Sequence, residues 1–212
     1  MVAKNREPVA SLVLYHLLKW PVVSPLLHTY FRANIHGADK IPKSGAAIAV
    51  SNHASYFDPP IISNCVGRPV AFMAKQELFQ IPVFKNAIAL YGAYPVNRRT
   101  SDRSAIRSTI QALESGWIAG IFLQGTRTKD GRITNPKSGA ALIAAKAQVP
   151  LIPVSLYGTE RILSGSSFPK PIPLTIRIGD LVEPPKSTKR EELKAVTAEC
   201  AQVINQLHDL GR

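Results

Sequence analysis

The segment Ser51-Asn52-His53-Ala54-Ser55-Tyr56-Phe57-Asp58 sets an imidazole and a carboxylate five residues apart. A carboxylate that accepts one ring N–H fixes the histidine tautomer and leaves the other ring nitrogen free as a base. Such a pair suits deprotonating an alcohol so that it attacks an acyl thioester, with His53 returning the proton to the leaving sulfur. On one continuous helix a five-residue step rotates the side chains about 140° apart, so the segment must turn between them. Asp58-Pro59-Pro60 supplies that turn, because an N-cap aspartate followed by prolines begins a new helix. The plain alternative is that Asp58 is only this cap and His53 only a loop histidine.

The pair needs a frame, and Ser51-Asn52-His53 directly follows the apolar run 46–50. It therefore falls at the carboxyl end of a strand, where open α/β sheets place their chemistry. Further β-like runs lie at 70–74, 93–96, 118–123, 151–156 and 174–178, with helical stretches at 59–65, 82–89, 102–115, 138–147 and 189–210. Asp102 and Ser138 suit the N-caps of two of these helices. The alternation predicts an α/β fold: a single domain with a largely parallel or mixed sheet flanked by helices. Residues 158–173, rich in Gly, Ser and Pro, read as an excursion before the last strand.

Residues 9–30 are apolar but interrupted by Lys19, Pro21, Pro25 and two histidines. A span needs about 20 mostly apolar residues without such breaks. The expectation is a helix over 8–20, broken at Pro21, then a second short helix to about 31. This N-terminal apolar helical hairpin would dock on one leaflet, or else pack on the domain's own core. The predicted organisation is an anchor at 1–33 and a catalytic α/β domain at 34–212.

The 26 Lys and Arg against 14 Asp and Glu give a net charge of +12, which calls for an anionic partner. Nucleic acid, an anionic bilayer and an acidic carrier protein all fit that sign. Aromatics are only 7% and no nucleic-acid motif is recognisable, so a basic nucleic-acid- or membrane-binding module without catalysis is the lesser alternative, and no nucleic-acid partner is expected. Cys65 and Cys200 lack any paired or metal-ligand spacing, so neither a disulfide framework nor a metal is expected, and a reducing, cytoplasmic setting is the default.

Asn52-His53 followed by four residues and Asp58 resembles the first block of the glycerolipid acyltransferases, in particular the bacterial 1-acylglycerol-3-phosphate acyltransferase type. Three more segments resemble that family's later blocks in order: Gly92-Ala93-Tyr94-Pro95-Val96-Asn97-Arg98, then Phe122-Leu123-Gln124-Gly125-Thr126-Arg127, then Val149-Pro150-Leu151-Ile152-Pro153-Val154. The resemblance covers 36–182. It implies transfer of a fatty acyl group from an acyl-carrier-protein or acyl-CoA thioester to the sn-2 hydroxyl of lysophosphatidic acid, giving phosphatidic acid. It implies no cofactor, and a monotopic position on the cytoplasmic face of an anionic membrane. By the same resemblance Arg98, Gly125, Thr126 and Arg127 bind the acceptor's phosphate with help from Lys75. Guanidinium groups grip phosphate oxygens bidentately, and glycine lets backbone N–H groups approach closely.

One position departs from the family pattern, which has Glu where this chain has Gln124. Glutamine keeps an acceptor oxygen but loses the charge. Gln124 is expected to orient Arg127 or a backbone group and to leave the phosphate pocket more positive. Another lysophospholipid or hydroxylated lipid as acceptor is the alternative. Pro150 and Pro153 flank a strand that either lines an acyl-chain slot or is ordinary core.

Overall fold

The computed structural model describes residues 9–75, 94–96 and 102–212. Seven strands form one sheet: β1 (Asn34–His36), β2 (Ala47–Ser51), β3 (Val70–Lys75), β4 (Tyr94–Val96), β5 (Ile118–Phe122), β6 (Leu151–Tyr157) and β7 (Thr175–Ile178). Their order is β1-β7-β6-β2-β5-β3-β4, and only the β6–β7 pair is antiparallel. The sheet is thus mixed, as expected. All six anticipated strands are present, and β1 is an addition. With Ile35 as its single apolar residue, that edge strand is too short to display alternation.

Five helices longer than a single turn accompany the sheet among the described residues: α1 (Val9–Tyr30), α2 (Asp58–Val66), α3 (Asp102–Glu114), α4 (Gly139–Ala147) and α5 (Arg190–Asp209). The helix expected at 82–89 lies outside the described residues. Ser138 occupies the cap position of α4, but its side chain makes no capping bond.

Both faces of central β2 are buried, which explains its uninterrupted apolar run. Ala47 and Ala49 point into one core with Leu27, Phe31, Ile61, Ile62 and Ile152. Ile48 and Val50 point into the other with Leu113, Ile143, Cys200 and Ile204. Cys65 and Cys200 therefore lie on opposite sides of the sheet and cannot pair. Burial pushes both thiols up to about 12, so neither is a nucleophile near neutral pH.

The N-terminal expectation needs correction: residues 9–30 form one continuous helix of 22 residues, not a hairpin broken at Pro21. The helix opens into π-type turns at Lys19–Val23 and Leu26–Tyr30. The N–H of Phe31 donates to the carbonyl of Leu26, five residues back, at 3.0 Å. A wider turn re-routes the ladder around a proline that cannot donate, so Pro21 and Pro25 distort the helix without ending it. One side of α1 rests on the domain, where Tyr15 is buried and its hydroxyl donates to the Ser63 carbonyl of α2 at 3.0 Å.

Candidate active site

Strand β2 ends at Ser51, and the course of the chain beyond it is set by Asn52. Asn52 is buried, and its amide satisfies both backbone groups of Leu156 in β6: Nδ2 donates to the carbonyl at 2.8 Å and Oδ1 accepts the N–H at 2.8 Å. Nδ2 also donates to the Gly131 carbonyl at 2.7 Å. Three parts of the chain are thereby tied together one residue before His53. A buried amide satisfied in this way is costly to remove, by about 1–3 kcal/mol for each backbone group left unpaired.

His53 Nδ1 lies 2.7 Å from Asp58 Oδ2. The same carboxylate oxygen accepts the N–H groups of Ala54 at 2.7 Å and Ser55 at 2.8 Å. Asp58 is the first residue of α2 and its side chain is completely buried, whereas 18% of the His53 side chain remains open to solvent. The expected role of Asp58 as N-cap is corrected by these contacts. Pro59 and Pro60 have no N–H to offer, so the carboxylate turns back to the donors of the preceding bend. A buried carboxylate with three donors on one oxygen is held as an acceptor, and the histidine beside it presents Nδ1–H and keeps its Nε2 lone pair.

The ring of Phe122, at the carboxyl end of β5, stacks on the His53 imidazole with centroids 3.8 Å apart and planes 12° apart. Phe72 of β3 stacks behind Phe122 at 5.6 Å. That second ring occupies the space over Gly120, where a Cβ would stand 2.2 Å from it, so only glycine fits there. The N–H of Thr128 donates to the His53 carbonyl at 2.8 Å. Backbone, ring plane and tautomer of His53 are each fixed by a different neighbour, which is what a proton-transfer group requires.

Residues 123–138 form the loop after β5 and carry the proposed phosphate-binding residues. Gly125 has φ +73, a left-handed conformation that favours glycine, and a Cβ there would meet nothing within 4 Å. Gly125, Thr126 and Arg127 are all exposed. The Arg127 guanidinium lies 3.7 Å above the Tyr56 ring, and its Nη2 donates to the Tyr56 hydroxyl at 2.8 Å. Tyr56 lies between His53 and Asp58, so the arginine is tethered to the segment that holds His53. Gln124 does not hold Arg127; its Oε1 accepts the N–H of Thr134 at 2.9 Å and of Asn135 at 3.4 Å. Of its two expected partners the backbone is the one found, and a glutamate oxygen would serve the same two donors.

Lys75 closes β3 at the carboxyl edge of the sheet, beside Val96 of β4. Arg98 lies outside the described residues. Nothing in the spacing of Phe122, Thr128 or Tyr56 assigns them a role. Tyr56 lies inside the His53–Asp58 segment and Phe122 opens the third family-like block, but only the fold brings their partners to them. Among the described residues no cluster of three His, Cys, Asp or Glu side chains is set to hold a metal ion.

Known proteins resemble this chain in sequence and in fold. A family model described as Acyltransferase matches residues 32–157. The chain is 32% identical over 151 residues to a chloroplast 1-acyl-sn-glycerol-3-phosphate acyltransferase of Arabidopsis thaliana, covering 70% of this chain and 42% of that protein. It is 28% identical over 181 residues to the 1-acyl-sn-glycerol-3-phosphate acyltransferase of Bacillus subtilis, covering 82% of this chain and 87% of that one. The chain thus spans less than half the length of the chloroplast relatives but most of the Bacillus protein. The crystal structure of the 1-acyl-sn-glycerophosphate acyltransferase PlsC of Thermotoga maritima superposes with a TM-score of 0.78 at 28% identity, covering 93% of this chain and 80% of that one.

Proposed function

Because this chain belongs to the Acyltransferase family, we propose that it moves a fatty acyl group from an acyl thioester to the sn-2 hydroxyl of 1-acylglycerol 3-phosphate, forming phosphatidic acid. The 2.7 Å hydrogen bond between His53 Nδ1 and Asp58 Oδ2 carries this proposal. It leaves Nε2 to take the hydroxyl proton as the acceptor oxygen attacks the thioester carbonyl. The tetrahedral intermediate then collapses, the C–S bond breaks, and the imidazolium returns its proton to the leaving thiolate. Asp58 offsets the transient positive charge on the ring without itself taking the proton. A thioester is already an activated acyl donor, so the proposed chemistry needs no metal or redox cofactor.

In this proposal Arg127 and the backbone N–H groups of Gly125 and Thr126 grip the acceptor's phosphate, joined by Arg98 and Lys75. The donor is an acyl-carrier-protein or acyl-CoA thioester, and the net charge of +12 suits an acidic carrier or anionic headgroups. Residues 1–33 serve as the membrane anchor of a catalytic domain at 34–212. Ser11, Tyr15, Ser24 and Leu27 are buried along much of the length of α1, so the helix lies along the domain. A helix held sideways in this way docks in one leaflet, and we place it on the cytoplasmic face as a monotopic anchor.

The deciding assay supplies lysophosphatidic acid in anionic vesicles and a labelled thioester to the purified protein. Wild type should make phosphatidic acid, and His53→Ala and Asp58→Asn should each lose about 10²–10⁴-fold in kcat. No product from wild type, or equal product from His53→Ala, overturns the mechanism. A panel of other lysophospholipids in the same assay separates the acceptor from its analogues.

A further inference from the structure

Helix α5 lies wholly beyond the residues that the family model matches, yet its last turns reach the active-site loop. Asn205 donates from Nδ2 to the Ile133 carbonyl at 2.9 Å and accepts the Ile133 N–H on Oδ1 at 3.0 Å. A single amide thus satisfies both backbone groups of one loop residue, the device that Asn52 applies to Leu156. Because the N–H and C=O of one residue belong to successive peptides, bonding both holds the two peptide planes that flank Ile133. Ile133 itself is buried in the core with Ile204, the neighbour of Asn205.

The two adjoining loop residues meet α5 as well. Arg132 pairs with Asp209 through two hydrogen bonds. Gly131 lies so close over His208 that a Cβ there would stand 2.8 Å from Nε2, and its φ of +72 suits glycine. Across the loop, the Gly131 carbonyl accepts from Asn52 and Thr128 donates to the His53 carbonyl. Inside it, Gln124 holds Thr134, the residue after Ile133. A loop of this length without regular structure needs such ties to present Gly125, Thr126 and Arg127 in one geometry.

We infer that Asn205 is a positioning residue for acyl transfer: it holds the 123–138 loop against α5 so that the phosphate-binding residues and the backbone of His53 keep their register. This rests on the function proposed above, with the loop as the acceptor's phosphate site. It acts through the loop and touches neither substrate.

The test compares Asn205→Ala with Thr197→Ala. Thr197 is buried on the same helix about two turns before Asn205, and its hydroxyl donates to the Leu193 carbonyl of that helix. Asn205→Ala should raise the acceptor KM about tenfold and leave the thioester KM within about twofold. Thr197→Ala should shift neither, even where it lowers Tm as much. Amide hydrogen exchange supplies a readout without turnover: protection across 123–138 should fall in Asn205→Ala and stay at the wild-type level in Thr197→Ala. Asn205→Asp, which keeps the acceptor for the Ile133 N–H and loses the donor, should fall between, and it decides the matter if the alanine variant does not fold. Unchanged loop protection in the folded variant, or kinetics that track Tm alone in both, overturns the inference. Lost protection in Asn205→Ala alongside an inactive wild type would instead refute the acyl-transfer reading and leave the brace standing.

Discussion

Along α5 the buried side chains recur at Leu193, Thr197, Cys200, Ala201, Ile204 and His208, whereas along α1 the exposed ones recur at Val9, Val13, Leu17 and Trp20. Both sets follow helical spacing, but they face opposite surroundings. α5 has one apolar stripe and spends it on the protein core. α1 is apolar on nearly every side, so after one side has packed on α2 the other still carries Leu17 and Trp20, each 63% exposed. An amphipathic helix is completed by its own domain, while a helix apolar all round is completed only by something outside the domain. Here we assign that outside surface to lipid.

The difference is tested most severely at the buried stripe. Ile204 is fully buried between the sheet and the loop brace. Ile204→Ala should cost about 2–5 kcal/mol in denaturant unfolding, because the transfer energy is lost and a cavity remains. Leu17→Ala should change the same measurement by less than about 0.5 kcal/mol, as expected for an exposed site. Equal losses at both positions would mean that α1 is covered by protein and that the contrast is false.

A smaller effect should appear in lipid binding. Leu17→Ser combined with Trp20→Ser should weaken sedimentation with anionic vesicles at least about tenfold, since two large apolar side chains leave the interface. Its Tm should match wild type. Undiminished vesicle binding would move the docking surface elsewhere, and a falling Tm would make those side chains part of the fold.

The same contrast explains what could be read from the residues alone. Strands β2, β5 and β6 announce themselves because each is a short apolar run, and their ends fall within one residue of those expected. The His53–Asp58 pair was legible because Pro59 and Pro60 force a new helix to start beside it. The N-terminal prolines misled for a related reason: a proline certainly removes a donor, but whether the helix ends or widens depends on packing, and Tyr15, Leu27 and Phe31 hold α1 to the domain on both sides of Pro21. Contacts between distant segments were unreadable. Nothing near Asn52 in the chain points to Leu156, and nothing near Asn205 points to Ile133. Nor does anything beside Arg68 in the chain show that it is buried and donates to the carbonyls of Pro42, Gly45 and Gly116 at the far end of the sheet from His53.

The smallest expected effect lies where α5 meets the loop. His208 is buried in the last turn of the helix, and its Nε2 has no hydrogen-bond partner among the described residues. Burial holds the imidazole below its ordinary value of 6.5; Arg132 lowers it further, while Glu160, Asp209 and Asp130 oppose the shift. The folded state thus prefers the neutral ring more than the unfolded chain does. A depressed folded value means that the His208 contribution is fully present above the unfolded pKa and is lost as pH falls through that value toward the folded one. Tm should therefore decline as pH drops below about 6.5, at roughly 2–4 °C per kcal/mol for a domain of this size. His208→Gln, which cannot protonate, should flatten that part of the profile. Because the ring packs under Gly131, amide protection in the loop, relative to the intrinsic exchange rate at each pH, should fall over the same pH range in wild type and not in the variant. The stripe of α1 at Leu17 and Trp20 has no ionisable group and should show no such dependence. If the variant's acid limb superposes on the wild type's, the pH response arises elsewhere in the molecule, and the contact of the His208 ring with the loop is not its proton-sensitive element.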